Sequence, residues 1–414
     1  MSLMGALRKY VQYPVTYKIL IAFIIAIPIG FVLGTAATPL GYLGTIFIRL
    51  MKLAMVLVVF SVITASIARV KVGVAIGIAS ALVLVLYMLT SILASLTANA
   101  IGIAANVGAG VTLKPPKVEA PQPPSIDTYI AAFVPDNPVG PFVRFEIVNV
   151  LIIAVFIGVA TYVLKKSPEP STRSLGETLT NLWEGLEKIS MKILRGFLEY
   201  APIGIFGLTA DLCGKYRGAI LGELAYFTVV QIGVLVFWCF GAYSILLAIF
   251  GINPLKFFKT AWPATLTAFT TRSSAATLPV TLERGRVLGI PETLASVMLP
   301  LGAVIHMDGS AINITFEGIF SAGFSGISLA PWQIGVLAVV STALAAGLAP
   351  VPGVGGITAP AVAAAINVPL EPMYLVAPIF YLLDPFVTMN NVTGDLVVTY
   401  AVTRLCRRLK IKIE

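Results

Sequence analysis

Long apolar runs, separated by short basic or Pro/Gly-rich stretches, set the pattern of this chain. A helix needs about 20 mostly apolar residues to cross a bilayer. By that measure the pattern predicts spans over 17–33, 43–68, 72–98, 145–164 and 224–250, with an amphipathic stretch leading into another span over 193–212. In the first span Gly30 and Gly34 have the GxxxG spacing that lets a second helix approach closely. Between 102 and 141 eight prolines break any helix, so this part reads as an extramembrane loop.

From residue 257 onward the plain pattern stops. The segment 257–280 is interrupted by Thr270, Thr271, Arg272, Ser273 and Ser274. Such a run cannot face lipid, and two half-helices meeting at a polar tip would satisfy the backbone. The next span, 297–320, is broken at His306-Met-Asp-Gly-Ser310, and 333–368 is broken by GLAPVPGVGG at 347–356, which reads as a second re-entrant hairpin. A last span covers 372–402. The two hairpin segments, 257–280 and 333–368, are each followed by a span carrying aspartate, which suggests an internal repeat with a solute site at the bilayer midplane. The fold expected is an all-α polytopic membrane protein, with eight transmembrane helices and two re-entrant helical hairpins.

Within the last span the stretch YLLDPFVTMNNVTGD (381–395) places Asp384, Thr388, Asn391 and Asp395 at steps of four, three and four residues, on one helical stripe. Carboxylates at this depth are costly, so they face a cavity, pair with one another, or hold a transported solute or ion.

Composition and charge narrow the class. Of the 414 residues 58% are hydrophobic and only 11% charged, against about 25% charged in soluble domains. The net charge of +9 does not mark a nucleic-acid binder. Its basic residues (Arg8 and Lys9, Arg69 and Lys71, Lys165 and Lys166, and 404–412) sit at the ends of apolar runs. That is the positive-inside arrangement, and it places both termini in the cytoplasm of a cell-membrane protein. Cys213, Cys239 and Cys406 have neither metal nor redox spacing. No HExxH, nucleophile elbow or P-loop is present, and GVGGIT at 353–358 follows no strand, so the enzyme classes they mark are excluded.

Four features carry candidate chemistry. The first hairpin tip offers half-helix N-termini and free amides to a carboxylate, or its hydroxyls satisfy only the hairpin itself. Asp308 stands beside an unwound turn, suited to a hard cation such as sodium, or to pairing with an arginine. His306 is the one histidine; it can carry a proton or bind a soft metal but is a poor ligand for sodium. Glu317, about three helical turns farther on, is a second proton candidate.

TRSSAATLPVT (271–281), MDGS (307–310), PVPGVGG (350–356) and NVTGD (391–395) resemble the signature blocks of the glutamate/aspartate–cation symporters, the excitatory amino acid transporter and dicarboxylate symporter family. The resemblance covers essentially the whole chain. It implies a homotrimer working by an elevator mechanism, with a scaffold (1–70 and 145–217) and a transport domain. The latter comprises 71–102, 218–254, hairpin 255–290, broken helix 291–328, gate hairpin 329–369 and 370–414, with 103–144 as the loop. It implies solute contacts at Ser273, Ser274, Met307, Ser310, Val351, Gly355, Phe380, Asp384, Val387, Thr388 and Asn391. It further implies sodium ligands at Tyr87, Thr90, Ser91, Gly302, Asp308, Asn391 and Asp395, beside His306.

The departures from the family pattern are informative. Val387 stands where members carrying acidic substrates have an arginine, so a second carboxylate would be buried unpaired. Phe380 replaces another acidic position. His306 stands where the family motif NMDGT has asparagine, and Val304 where a threonine helps bind sodium. The expectation is a symporter for a small neutral amino acid, with fewer sodium ions or none, a proton as substitute, and no cofactor. The alternatives are a sodium- or proton-coupled carrier of aspartate, glutamate or another carboxylate, and a substrate-gated anion channel.

Overall fold

A computed structural model describes residues 15–69, 77–109, 136–144, 147–216, 218–346, 358–376 and 379–411. Among them the secondary structure is helical, with no strand. The helices are α1 Val15–Leu33, α2 Gly41–Ala68, α3 Gly77–Ala104, α4 Gly140–Arg144, α5 Ile147–Lys165, α6 Pro170–Leu198, α7 Ala201–Tyr216, α8 Gly218–Val236 and α9 Tyr243–Ile249. They continue as α10 Pro254–Thr271, α11 Ser274–Leu288, α12 Glu292–Ile305, α13 Asp308–Phe324, α14 Pro331–Ala346, α15 Ala359–Ile366, α16 Glu371–Val376 and α17 Phe380–Arg408. Among the described residues the stretches 17–47, 77–104, 221–249 and 292–324 are long and apolar enough to cross a membrane by length and composition. Shorter apolar helices cover 56–65, 152–165 and 331–346. Large apolar side chains face outward, Val32 85% and Ile249 70% exposed, as suits a lipid-facing surface. This is a membrane protein.

The helices pack in two sets. One comprises α1, α2 and α4 to α7; the other comprises α3 and α8 to α17, joined to the first through a few pairs such as α5 with α14 and α7 with α16. Close approach in the first set depends on glycine. A Cβ on Gly30 would lie 2.5 Å from the Ala210 carbonyl oxygen, and one on Gly214 would lie 2.2 Å from that of Gly34. Gly30 thus permits close approach of α7, whereas Gly34 lies past the end of α1, in a 3-10 turn with φ 56°.

In the second set the interruptions fall where the polar residues stand. Arg272, in the left-handed conformation (φ 52°), ends α10, and Ser273 begins α11 by accepting a hydrogen bond from the Ala276 amide at 3.2 Å. The break between α12 and α13 falls at His306 and Met307. In the second hairpin, Gln333 Nε2 donates to the Ile366 carbonyl at 2.6 Å and ties α14 to α15; its tip, with Val351 and Gly355, lies outside the described residues.

Three boundaries differ from expectation. The apolar run 193–212 is not one helix: α6 ends at Leu198 and α7 starts at Ala201. Pro202 lacks a backbone N–H, which favours a helix start there, and Glu199 in the link takes Lys18 Nζ at 2.6 Å. Helix α3 runs on through Ala104 instead of ending at 98, and in the last span Ile379 is a turn residue at which α17 begins.

Candidate functional site

The break at His306–Met307 leaves Asp308 as the first residue of α13, where the positive end of the helix dipole favours a carboxylate. Around it the second set of helices converges. Ser91 Oγ from α3 donates to Asp308 Oδ1 at 2.5 Å, and His306 Nε2 lies 3.1 Å from the same oxygen. Trp238 Nε1 and the Tyr243 hydroxyl both donate to Oδ2 at 3.0 Å. Both oxygens of a fully buried carboxylate are therefore supplied by protein hydrogens.

The local chain geometry explains the last pair. Trp238 and Tyr243 are five residues apart, and in a regular α-helix positions so spaced point about 140° apart. Residues Phe237–Ala242 instead form a π-helical segment. Its wider turn returns residue i+5 to the same side.

His306 bridges two aspartates. Its Nδ1 lies 3.0 Å from Asp395 Oδ1 on α17, its Nε2 also lies 2.9 Å from Thr90 Oγ1, and its ring is stacked on Tyr87 with centroids 4.1 Å apart. The imidazole is fully buried. Three glycines make room for this packing. A Cβ on Gly302 would stand 2.4 Å from Asp395 Oδ1, one on Gly394 would stand 2.8 Å from His306 Cε1, and one on Gly309 would stand 2.4 Å from the Val387 carbonyl oxygen.

Other expected ligands are turned to different tasks. The Tyr87 hydroxyl lies 3.2 Å from the Met298 carbonyl and 2.9 Å from Thr399 Oγ1. Asn391 Oδ1 accepts the Gly309 amide at 2.9 Å, capping α13, and its Nδ2 reaches Ser310 Oγ at 3.3 Å. Of the expected ion ligands, Thr90, Ser91, His306, Asp308 and Asp395 make one connected cluster, flanked by Gly302 and Tyr87. Asn391 belongs to the neighbouring turn with Ser310 and Met307.

Asp384, Val387 and Thr388 are buried on α17, one to two turns before Asn391, as the stripe requires; Phe380 is buried one turn earlier. Tyr381 lies within electrostatic reach of both Asp384 and Arg272, and Phe269 meets Phe386 edge-to-face at 5.1 Å, which brings the first hairpin tip to this end of α17. The tip hydroxyls largely serve the hairpin. Thr277 Oγ1 donates to the Ser273 carbonyl at 2.9 Å and meets Thr271 Oγ1 at 3.0 Å, and Ser273 is a cap. Ser274 is buried at the first position of α11. Glu317 stands apart from the His306 cluster, hydrogen-bonded to Asn313.

Sequence reasoning missed Trp238, Tyr243 and Thr399. The signal for the first two was slight: aromatic residues with polar tips in mid-span, where such tips need partners.

With this geometry in place, similarity to known proteins becomes specific. The sodium:dicarboxylate symporter family model matches residues 15–405. The chain belongs to that family. It is 25% identical over 411 residues to the proton/glutamate-aspartate symporter of Escherichia coli (strain K12), covering 94% of this chain and 92% of the relative. It is 31% identical over 274 residues to excitatory amino acid transporter 3 of Mus musculus, covering 63% of this chain and 50% of the relative. The chain thus spans about half the length of that relative. These relatives are named as transporters and symporters, not enzymes, which does not favour the channel alternative.

Proposed function

We propose that this protein is a secondary active symporter that carries a small neutral amino acid across the cell membrane by an elevator mechanism, with few or no coupling sodium ions. The observation that carries the coupling part is His306 between Asp308 and Asp395. Carboxylates only accept hydrogen bonds, so an imidazole that bonds both with both ionised must carry hydrogen on each nitrogen. A ring so placed takes the room and the charge partners that a sodium ion would use. A sodium ion would have to displace a hydrogen bond from Asp308, since donors occupy both of its oxygens, and hard cations prefer oxygen to imidazole nitrogen. The proton is the natural substitute, and the E. coli relative bears a name that includes one.

The division into two sets of helices supports scaffold and transport bodies, and the polar cluster lies wholly within the second. Eight crossings, cytoplasmic termini and the trimer follow the family reading. Within the transport body Ser310, Asp384, Thr388 and Asn391 contact the solute, with Asp384 holding its amino group. The apolar wall at Val387 and Phe380 selects against a side-chain carboxylate.

One observation favours a second reading, a carrier of aspartate, glutamate or another carboxylate. Arg272 at the first hairpin tip is a cation in reach of Tyr381 beside Asp384. A thermal-shift screen of amino acids and dicarboxylates, each with and without sodium, separates the two. Stabilisation by small neutral amino acids irrespective of sodium is the expected result. Stabilisation by aspartate or glutamate alone supports the second reading and refutes the first.

A further inference from the structure

Apart from the His306 cluster, a second buried polar group spans three helices: Asn99 on α3, Gln231 on α8, and Asn313 with Glu317 on α13, each at most 2% exposed. Two direct bonds join it. Gln231 Nε2 donates to Asn313 Oδ1 at 2.8 Å, and Asn313 Nδ2 donates to Glu317 Oε1 at 2.9 Å.

Helix register brings Asn99 to the same level. Helices α3 and α13 run side by side in the same direction: Ser91 meets Asp308, Ser95 Oγ lies 2.5 Å from Thr315 Oγ1, and a Cβ on Gly102 would stand 2.8 Å from Ile319 Cδ1. Asn99 lies between Ser95 and Gly102, level with Thr315 to Ile319. Helix α8 runs the opposite way, with the Tyr226 hydroxyl donating to the Ala105 carbonyl at 2.8 Å. Five residues farther along α8, Gln231 comes level with Asn99.

Among the described residues three atoms at this level have no hydrogen-bond partner: Glu317 Oε2, Gln231 Oε1 and Asn99 Oδ1. All three are oxygens as placed. A buried acceptor left without a donor costs about 1–3 kcal/mol, and here nothing donates. Amide orientation does not repair the deficit. Turning Asn313 over sets its oxygen against Glu317 Oε1, and turning Gln231 over sets its oxygen against Asn313 Oδ1. Turning Asn99 over sets its oxygen against the Ser95 carbonyl oxygen that its Nδ2 now reaches at 3.2 Å. Two oxygens in contact need a hydrogen between them.

The ionisable groups around Glu317 supply no partner either. Helices α14 and α15 have none, α3 has Tyr87, α8 has Glu223 and Tyr226, and α16 has Glu371 and Tyr374. Helix α17 has Asp384, Asp395, Tyr381 and Tyr400, with Cys406 and its arginines at the far end. Glu223 Oε1 is taken by the Gly108 amide at 2.6 Å, and among the described residues the one hydrogen-bond partner of Glu317 is Asn313.

We propose that Glu317 is a second proton-binding site, held as a neutral carboxylic acid whose hydrogen is given to an amide oxygen of Gln231 or Asn99. One proton from water then satisfies two oxygens at once. It rides on α13, the helix whose first turn carries Asp308 and Ser310, but it occupies a position separate from the solute and from His306.

Infrared difference spectroscopy of the purified full chain in lipid nanodiscs tests this. At neutral pH the wild type should show a carbonyl band of a buried carboxylic acid that shifts in heavy water, and Glu317→Gln should lose that band. Identical spectra for the two proteins overturn the proposal. Should Glu317→Gln not fold, the pair Gln231→Leu and Asn99→Leu decides. A shift of the band in one of them supports the acid and identifies its acceptor, whereas no shift in either overturns the hydrogen bond. The band is read without any transport measurement, so a chain that carries no solute would refute the symporter reading and leave this result standing.

Discussion

His306 Nδ1 and Asp395 Oδ1 lie 3.0 Å apart, and the carboxylate can come so close because residue 302 has no side chain. In Gly302→Ala the new methyl would lie 2.4 Å from Asp395 Oδ1 and 2.7 Å from the Tyr87 hydroxyl. Overpacking of this kind costs about 1–3 kcal/mol. We expect a lower melting temperature in detergent and slower solute uptake. Wild-type values for both would show that the carboxylate has another resting place.

Asp308 is fixed by the pair Trp238 and Tyr243, and Tyr243→Phe removes one donor from Oδ2. A hydrogen bond to a charged group is worth about 1.5–3 kcal/mol. The variant should melt at a lower temperature, and Tyr243→Phe combined with Asp308→Asn should lose less than the sum of the two single changes. Additive losses would mean that the two groups act independently.

Val387→Arg tests the solute site. It introduces a guanidinium one turn after Asp384, and if the contacts for the amino group and first carboxylate are as proposed, aspartate becomes a ligand. A thermal shift with aspartate in the variant, absent in the wild type, is the expected result. At a concentration about 100-fold above Kd the gain is about 2.7 kcal/mol. A wild type already stabilised by aspartate would favour the carboxylate reading through Arg272.

Outside the membrane-spanning part, the hydroxyls of Ser171 and Thr172, each 2.7 Å from a Glu169 oxygen, hold that carboxyl below its usual range. A depressed folded value adds stability above the unfolded value, and this is lost as pH falls through the folded one. The first turn of α6 should therefore open in acid. Hydrogen exchange of the Arg173 amide, which donates to the Glu169 carbonyl at 3.0 Å, reads this after correction for intrinsic rates. Glu169→Gln should remove the acid sensitivity.

Much of the site was legible because the chain breaks its own rule there. Hydroxyls and Arg272 inside an apolar run mark the hairpin tip, and His306 to Ser310 mark the broken helix, since neither can lie against lipid as a regular helix. The stripe from Asp384 to Asp395 follows from helical spacing, and its four residues are indeed buried on one helix. The role of Asn391 was harder to see. Its oxygen caps α13, which depends on two helices meeting and not on the local sequence. The π-helical turn that aims Trp238 and Tyr243 leaves no pattern in a uniformly apolar segment. The break at Glu199–Tyr200 was hidden because apolar residues continue on both sides of it.

On the function proposed above, the imidazole of His306 stands in for a coupling sodium ion. The most direct measurement is solute uptake into proteoliposomes with an inward proton gradient, with and without an inward sodium gradient, for wild type and His306→Asn. Wild-type uptake should be unchanged when the sodium gradient is removed, and His306→Asn should become sodium-dependent. Strict, steep dependence of the wild type on sodium would contradict the claim.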